Sequence, residues 1–212
     1  ITGATNNVVQ VYSLDVSVTI DTAPPDVSIA ATDASKSEGD SASTDYTFTV
    51  TRVGDTSGSA TVDYAVSGNG ASAASANDFT GGAFPAGTVT FGAGEVTQTI
   101  TISVAGDSDV ENDEGFTVTL SNPSGTLIDN ESASGSILND DTSVSIAQAD
   151  ASKAEGDSGT TEFTFTVSRT GDLSSAGNVT YTVSGNGATA DDFADGVFET
   201  GAVSFAAGED SQ

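Results

Sequence analysis

The feature that most restricts what this chain can fold into is an internal repeat made of short, alternating segments. VSIAATDASKSEGD at Val27–Asp40 returns as VSIAQADASKAEGD at Val144–Asp157, 117 residues further on. YTFTVTRVGD (Tyr46–Asp55) returns at the same offset as FTFTVSRTGD (Phe163–Asp172), and VSGNGA (Val66–Ala71) as VSGNGA (Val183–Ala188). The offset then falls to 114, because the first copy carries three extra residues near Ala73–Ser75; GTVTFGAGE (Gly87–Glu95) matches GAVSFAAGE (Gly201–Glu209). All four basic residues pair across the copies, Lys36 with Lys153 and Arg52 with Arg169. A repeat of about 115 residues is a usual domain size, so the pattern implies tandem domains.

Within the first copy, alternation of apolar and polar residues marks seven strands: Val27–Ala31, Asp45–Arg52, Ala60–Val66, Thr88–Phe91, Val96–Val104, Gly115–Leu120 and Ser132–Leu138. Tyr46, Phe48 and Val50 share one face, as do Ile100, Ile102 and Val104, and Phe116, Val118 and Leu120. No helical period appears. Short strands with this spacing of turns predict an all-β, immunoglobulin-like antiparallel sandwich. Residues 1–25 end in Pro24-Pro25, which cannot continue a ladder, and read as the last strands of a preceding domain plus a linker. The predicted division is therefore 1–25, a complete domain over 26–141, and a second over 142–212. That second copy matches the first only as far as Gln98, which Gln212 equals, so it reads as truncated and is not expected to fold alone. With no Met and no signal pattern at Ile1, the chain reads as a piece of something longer.

The chemistry sits between two predicted strands. GDSDVENDEGF (Gly106–Phe116) holds Asp107, Asp109, Glu111, Asp113 and Glu114 with no basic residue among them. Crowded carboxylates repel unless they splay into water or a cation holds them, and oxygen-only donors suit Ca²⁺. An EF-hand starting at Asp107 would need Gly sixth and Glu twelfth, where this chain has Asn112 and Val118; Gly-rich nonapeptide repeats are also absent. In a sandwich of successively reversing strands, alternate loops lie at one end. That brings together Glu38, Asn69 with Asp78, the acidic loop, and Asn139-Asp140-Asp141. Four acidic segments distant in sequence then converge, which favours a metal site over a solvated turn.

Composition narrows the function further. With 31 acidic and 4 basic residues, a formal charge of −27 excludes nucleic acid as a partner and disfavours anionic membranes. No run of apolar residues is long enough to span a bilayer. The absence of Cys and His removes disulfides, most nucleophilic triads and zinc sites, and no catalytic residue stands out. Asp78 and Asp192, each before an aromatic, read as loop-closing hydrogen-bond acceptors rather than metal ligands. Asp113 is expected to face water, and Arg52 and Arg169 to pair with nearby acids.

SEGD (Ser37–Asp40), TFTVTR (Thr47–Arg52), NDF (Asn77–Phe79), FGAGE (Phe91–Glu95), GDSDVENDEGFTVTLSNPSG (Gly106–Gly125) and SILNDD (Ser136–Asp141) together resemble the Calx-β domain, found in sodium/calcium exchangers and many large bacterial surface proteins. The resemblance covers 26–141 fully and 142–212 in part. It implies an immunoglobulin-like sandwich binding Ca²⁺ at the end facing the next module, with Glu38, Asp107, Glu111, Glu114, Asp140 and Asp141 as side-chain ligands and Asp109 offering its carbonyl. Asn69 falls near a family Asp and Gly106 replaces another, so binding is expected in the ~10⁻⁴–10⁻³ M range of extracellular modules. Glu155 is the weaker counterpart of Glu38 in the second copy. The resulting expectation is a non-enzymatic calcium-binding module of an extracellular or cell-surface protein. Its partners would be Ca²⁺, neighbouring domains of the same chain and, further out, cell-surface proteins or glycans. Two other readings stay open: an accessory segment of a secreted hydrolase, and a salt-adapted acidic spacer.

Overall fold

The computed structural model describes residues 23–212; the strands of a preceding domain expected before Pro24 lie outside them. The first unit contains nine strands: β1 (Asp26–Asp33), β2 (Ser35–Ser37), β3 (Ser43–Val53), β4 (Ala60–Asn69), β5 (Ala86–Phe91), β6 (Thr97–Ala105), β7 (Glu114–Ser124), β8 (Leu127–Asn130) and β9 (Ser132–Leu138). They form two sheets, ordered β6-β3-β1-β8 and β2-β9-β7-β4-β5. Neighbours are antiparallel except β1 with β8 and β2 with β9. All seven expected strands are present. The two short edge strands, β2 and β8, escaped the sequence because three or four residues carry too little alternation to read.

Between the sheets lies one core. Tyr46, Phe48 and Val50 from β3 face Ile100, Ile102 and Val104 from β6 and Phe116, Val118 and Leu120 from β7, each at most 3 % exposed. This is the inward row that period-two alternation dictates. Phe116 is its centre, meeting Tyr46, Phe48 and Phe79 edge-to-face at centroid distances of 5.8, 5.9 and 5.5 Å. Such pairs add about 0.5–1.5 kcal/mol each beyond burial. Room for the Phe116 ring comes from Gly135 on β9, where a Cβ would stand 2.4 Å from Cζ.

The second unit repeats the pairing residue for residue. Val144 faces Arg169 across β10 (Thr142–Asp150) and β11 (Thr164–Gly171), as Val27 faces Arg52. β12 (Gly177–Thr182) pairs with β13 (Thr200–Phe205) as β4 does with β5. Phe163 and Phe165 are 47 and 48 % exposed, where their counterparts Tyr46 and Phe48 are fully buried, since no equivalents of β6, β7 and β9 stand over them among the described residues.

Arg52 is nearly fully buried, and the expected acid pairing is not what the structure shows. Its Nη2 donates to the carbonyls of Asp55 and Gly58 (3.2 and 2.8 Å), and the guanidinium lies over Phe91. Arg169 likewise donates to the carbonyls of Glu209, Ser175 and Ala206, at 2.7, 2.9 and 2.7 Å. The arginines tie turns together through the main chain.

Candidate metal centre

Each acidic segment reaches the same pole of the sandwich because a buried residue beside it fixes its position. Phe79 and Phe116, locked ring to ring in the core, immediately follow Asp78 and the Glu114-Gly115 pair. Tyr46 donates its hydroxyl to the Lys36 carbonyl (2.6 Å), anchoring β2, and Glu38 follows on. Thr44 holds the Glu38 carbonyl at 2.5 Å. Ile137 is buried near the end of β9 and delivers Asp140 and Asp141.

Two carboxylate trios result. Glu38, Asp140 and Asp141 each place one oxygen within 4.8 Å of the others, and so do Asp78, Glu111 and Glu114. Glu38 and Asp141 are only 3 and 6 % exposed. Glu114 Oε2 and Asp141 Oδ2 are buried with no hydrogen-bond partner, which is costly for a carboxylate lacking a cation. Burial pushes Glu38 up to about 7, helped by the charges of Asp107, Glu111, Asp140 and Asp78. Glu114 is likewise pushed up to about 7, by burial first and then by Asp78. Glu111 and Asp141 are raised for the same reasons. The donors are all hard oxygens, no lysine or arginine is paired with them among the described residues, and one oxygen each of Glu114 and Asp141 is buried without a hydrogen bond. This set fits Ca²⁺.

Asn139 ties the acidic loop to the exit from β9. Its Oδ1 accepts from the Glu111 amide (3.0 Å), its Nδ2 donates to the Asp141 carbonyl (3.1 Å), and its own amide donates to Asp113 Oδ1 (3.1 Å). Asp113 thus closes the loop instead of merely facing water. Gly39 N donates to Asp140 Oδ1 at 3.2 Å, joining the first and last segments of the unit. A Cβ at Gly106 would stand 2.1 Å from the Gly39 carbonyl oxygen, so this close approach leaves no space for a carboxylate at 106.

The model of the Calx-beta domain matches residues 21–141 and again 138–212. The chain belongs to the Calx-beta family. No curated protein sequence matches it. Among solved structures, it is similar to CBD12 from CALX1.2, at 22 % identity, 88 % of this chain, 74 % of that one and a TM-score of 0.50, which supports the shared fold. The calcium binding domain CBD12 of CALX1.1 aligns at 24 % identity over 88 % of this chain and 72 % of that one, TM-score 0.49. The apo-form Calx CBD1 domain aligns at 27 % over 56 % and 100 %, TM-score 0.47.

Within this Calx-beta unit the sequence-derived residues divide. Glu38, Glu111, Glu114, Asp140 and Asp141 fall in the two trios. Asp107 and Asp109 fall in neither; Asp107 Oδ1 accepts from the Asp109 amide (2.8 Å), while its charge acts on Glu38. Asn69 turns its amide to Ser134 Oγ at 3.4 Å, and Glu155 is exposed. Asp78 belongs to a trio although its loop-closing role also holds: it accepts from the Ser75 amide at 2.5 Å. Its other oxygen accepts from Ser75 Oγ at 3.2 Å, and each carboxylate oxygen keeps a further lone pair, so one Asp can serve both roles. Asn139 acts as a positioning residue, and its place directly before Asp140-Asp141 is the sequence signal for that role.

The pole borders the second Calx-beta unit. An open polar cleft of about 550 Å³ lies between the loop residues Val110–Asp113, Asn139 and the Gly171-Asp172 turn. The Asp172 amide donates to the Asp141 carbonyl at 2.8 Å, and Thr142 Oγ1 to the Asp172 carbonyl at 2.9 Å.

Proposed function

We propose that the chain is a non-enzymatic, calcium-binding structural segment of a larger extracellular or cell-surface protein, in which Ca²⁺ stiffens the joint between consecutive Calx-beta units. The observation carrying this reading is the pair of carboxylate trios, with a buried oxygen of Glu114 and one of Asp141 left unpartnered beside the joint. Glu38, Asp140 and Asp141 would hold one ion and Asp78, Glu111 and Glu114 a second, with Asp107 alongside. The ion would supply the positive charge that offsets their repulsion. Without it, the acidic loop and the Asp140-Asp141 segment push apart, and the main-chain link from Asp141 to Asp172 is free to swing. With it, that segment is fixed against the sandwich, and neighbouring domains of the same chain are held in one direction. A role in adhesion, with cell-surface proteins or glycans as partners, follows from a rod of such units.

The test is calorimetry and thermal melting of the full chain in EDTA, in millimolar Ca²⁺ and in equal Mg²⁺. Ca²⁺ bound to the folded state raises stability by mass action, about 1.4 kcal/mol per ion at a tenfold excess over Kd. A large rise with Ca²⁺ alone, accompanied by reduced interdomain mobility in small-angle scattering, supports the clamp. Equal small rises with both cations would make the chain a salt-adapted acidic spacer.

A further inference from the structure

In the first unit, β2, β5, β6 and β8 stand at the ends of their sheets, each with one edge that no other strand covers among the described residues. An uncovered edge offers unpaired main-chain groups to other chains, and natural sheets blunt it by shortness, charge or proline. β2 has three residues, one of them Lys36, and β8 has four, including Asp129. β5 has six, follows Pro85 directly and carries Gly87. β6 has none of these devices: it runs for nine residues, TQTITISVA, without charge, proline or glycine.

The pairing of β6 with β3 fixes which of its groups are free. Arg52 N donates to the Val96 carbonyl and Gly106 N to the Ala42 carbonyl, both at 2.8 Å. In an antiparallel ladder every second residue exchanges bonds with the partner strand. The even-numbered residues of β6 therefore bond to β3, and the odd-numbered ones turn their N–H and C=O groups away from it. Ser103 fits this phase, since its carbonyl accepts from the Thr80 amide on the far side, at 3.0 Å. Thr97, Thr99 and Thr101 keep no main-chain partner among the described residues, and all three are exposed.

We infer that this edge pairs with β6 of a second copy of the chain, antiparallel and centred on Thr99. Two features select that occupant. Thr97, Thr99 and Thr101 form a pattern that reads the same in both directions, so a two-fold axis at Thr99 sets Thr97 of one copy against Thr101 of the other. A two-fold interface has to be self-complementary in this way. Each opposed pair exchanges both of its N–H···O bonds, and the threonine side chains meet across the seam as they already meet Thr51, Thr49 and Thr47 of β3. The second feature is charge. With 31 acidic and 4 basic residues, two copies repel over most of their surfaces, and β6 is an uncharged stretch long enough to let them approach.

The chain has no cysteine, so one introduced thiol reads the register without background. Opposed residues of a bonded antiparallel pair stand about 5.5 Å apart at Cα, within the span of a disulfide. The test is mild oxidation of the full chain in EDTA at high protein concentration, which keeps the outcome separate from the calcium reading. Thr99→Cys should cross-link into a covalent dimer. Thr97→Cys alone should not, because its two thiols lie four residues apart along the seam, roughly 13 Å, yet mixed with Thr101→Cys it should give the mixed dimer. Thr90→Cys, on the β5 edge, should stay monomeric. In analytical ultracentrifugation, Thr99→Lys should lower the dimer fraction without changing the melting temperature of dilute protein, and added salt should raise the fraction for the original chain by screening repulsion. Cross-linking at Thr97, Thr99 and Thr90 alike, cross-linking at none of them, or a dimer fraction untouched by Thr99→Lys would overturn the inference.

Discussion

Replacing Glu38 by Gln should move stability in opposite directions with and without calcium. Glu38 lies within 4.8 Å of carboxylate oxygens on Asp140 and Asp141, and at an effective dielectric near 20 each such pair repels by about 3.5 kcal/mol. Asp140 is partly solvated, so about a third of the two-pair ceiling survives, about 2 kcal/mol. The amide keeps the shape of the side chain and removes its charge. At about pH 8, above the value of about 7 to which burial pushes Glu38, the metal-free chain should therefore melt higher. At about 4 °C per kcal/mol for a unit of this size, the rise is about 8 °C. The same lost charge removes an attraction for Ca²⁺, so affinity should fall at least about tenfold, equivalent to 1.4 kcal/mol. The assay is differential scanning calorimetry of both chains in EDTA and across a Ca²⁺ titration. A metal-free Tm that falls, together with an unchanged Ca²⁺ response, would refute the reasoning. It would mean that Glu38 is held by local contacts and is not part of a repelling trio.

Four further outcomes follow from the same geometry. Because the carboxyls of Glu38 and Glu114 are raised from 4.5 to about 7 in the folded state, folding binds protons; the metal-free Tm should be highest near pH 4.5, fall as pH rises to 7 and level off, while the Ca²⁺-induced shift grows over that window. Asn139→Ala removes the bonds to the Glu111 amide and the Asp141 carbonyl but touches no core residue, so calorimetric titration should show weaker Ca²⁺ binding with a metal-free stability lower by only about 1–2 kcal/mol. Asp78→Asn keeps an acceptor for the Ser75 amide and loses the charge, so it should weaken Ca²⁺ binding and, like Glu38→Gln, raise the metal-free stability, whereas Asp78→Ala also loses the bonds to Ser75 and should be about 1 kcal/mol less stable than the Asn variant by denaturant melts. Gly171→Ala places a Cβ 2.1 Å from the Asp141 carbonyl oxygen, at a positive φ of 99°, and should displace Asp141 and increase interdomain mobility by small-angle scattering even with Ca²⁺ present.

Alternation in Tyr46–Val50, Ile100–Val104 and Phe116–Leu120 made the core legible, because a strand with one buried face must repeat every second residue. Loop convergence was legible too, since strand parity alone sends Glu38, the acidic loop and Asp140-Asp141 to one pole. What stayed hidden was the partition of the acids. Which carboxylate turns inward depends on hydrogen bonds a few residues away, such as Asp107 closing onto the Asp109 amide and Asn139 holding Glu111. The arginines misled for a related reason. A buried guanidinium in an acidic chain suggests carboxylate partners, yet the carbonyls of the nearby turns are closer and cost no second buried charge.

The carboxylate pole and the core are one construction. Asp78 precedes Phe79 and Glu114 stands two residues before Phe116, and the two rings meet at 5.5 Å and 85°. The ring pair therefore sets the separation of two acids that repel each other, and the core's packing energy opposes that repulsion. Tyr46 extends the arrangement: its ring packs on Phe116 while its hydroxyl anchors the segment leading to Glu38. Trimming Phe116 to Ala should cost about 3–5 kcal/mol of stability. It should also loosen both trios together, so that Ca²⁺ binding weakens even under conditions where the variant remains folded. Near-UV circular dichroism would report the fold and calorimetry the binding. A variant that is folded and loosened yet binds Ca²⁺ with unchanged affinity would show that the acids are positioned by their loops alone, and that the aromatic cluster serves only the core.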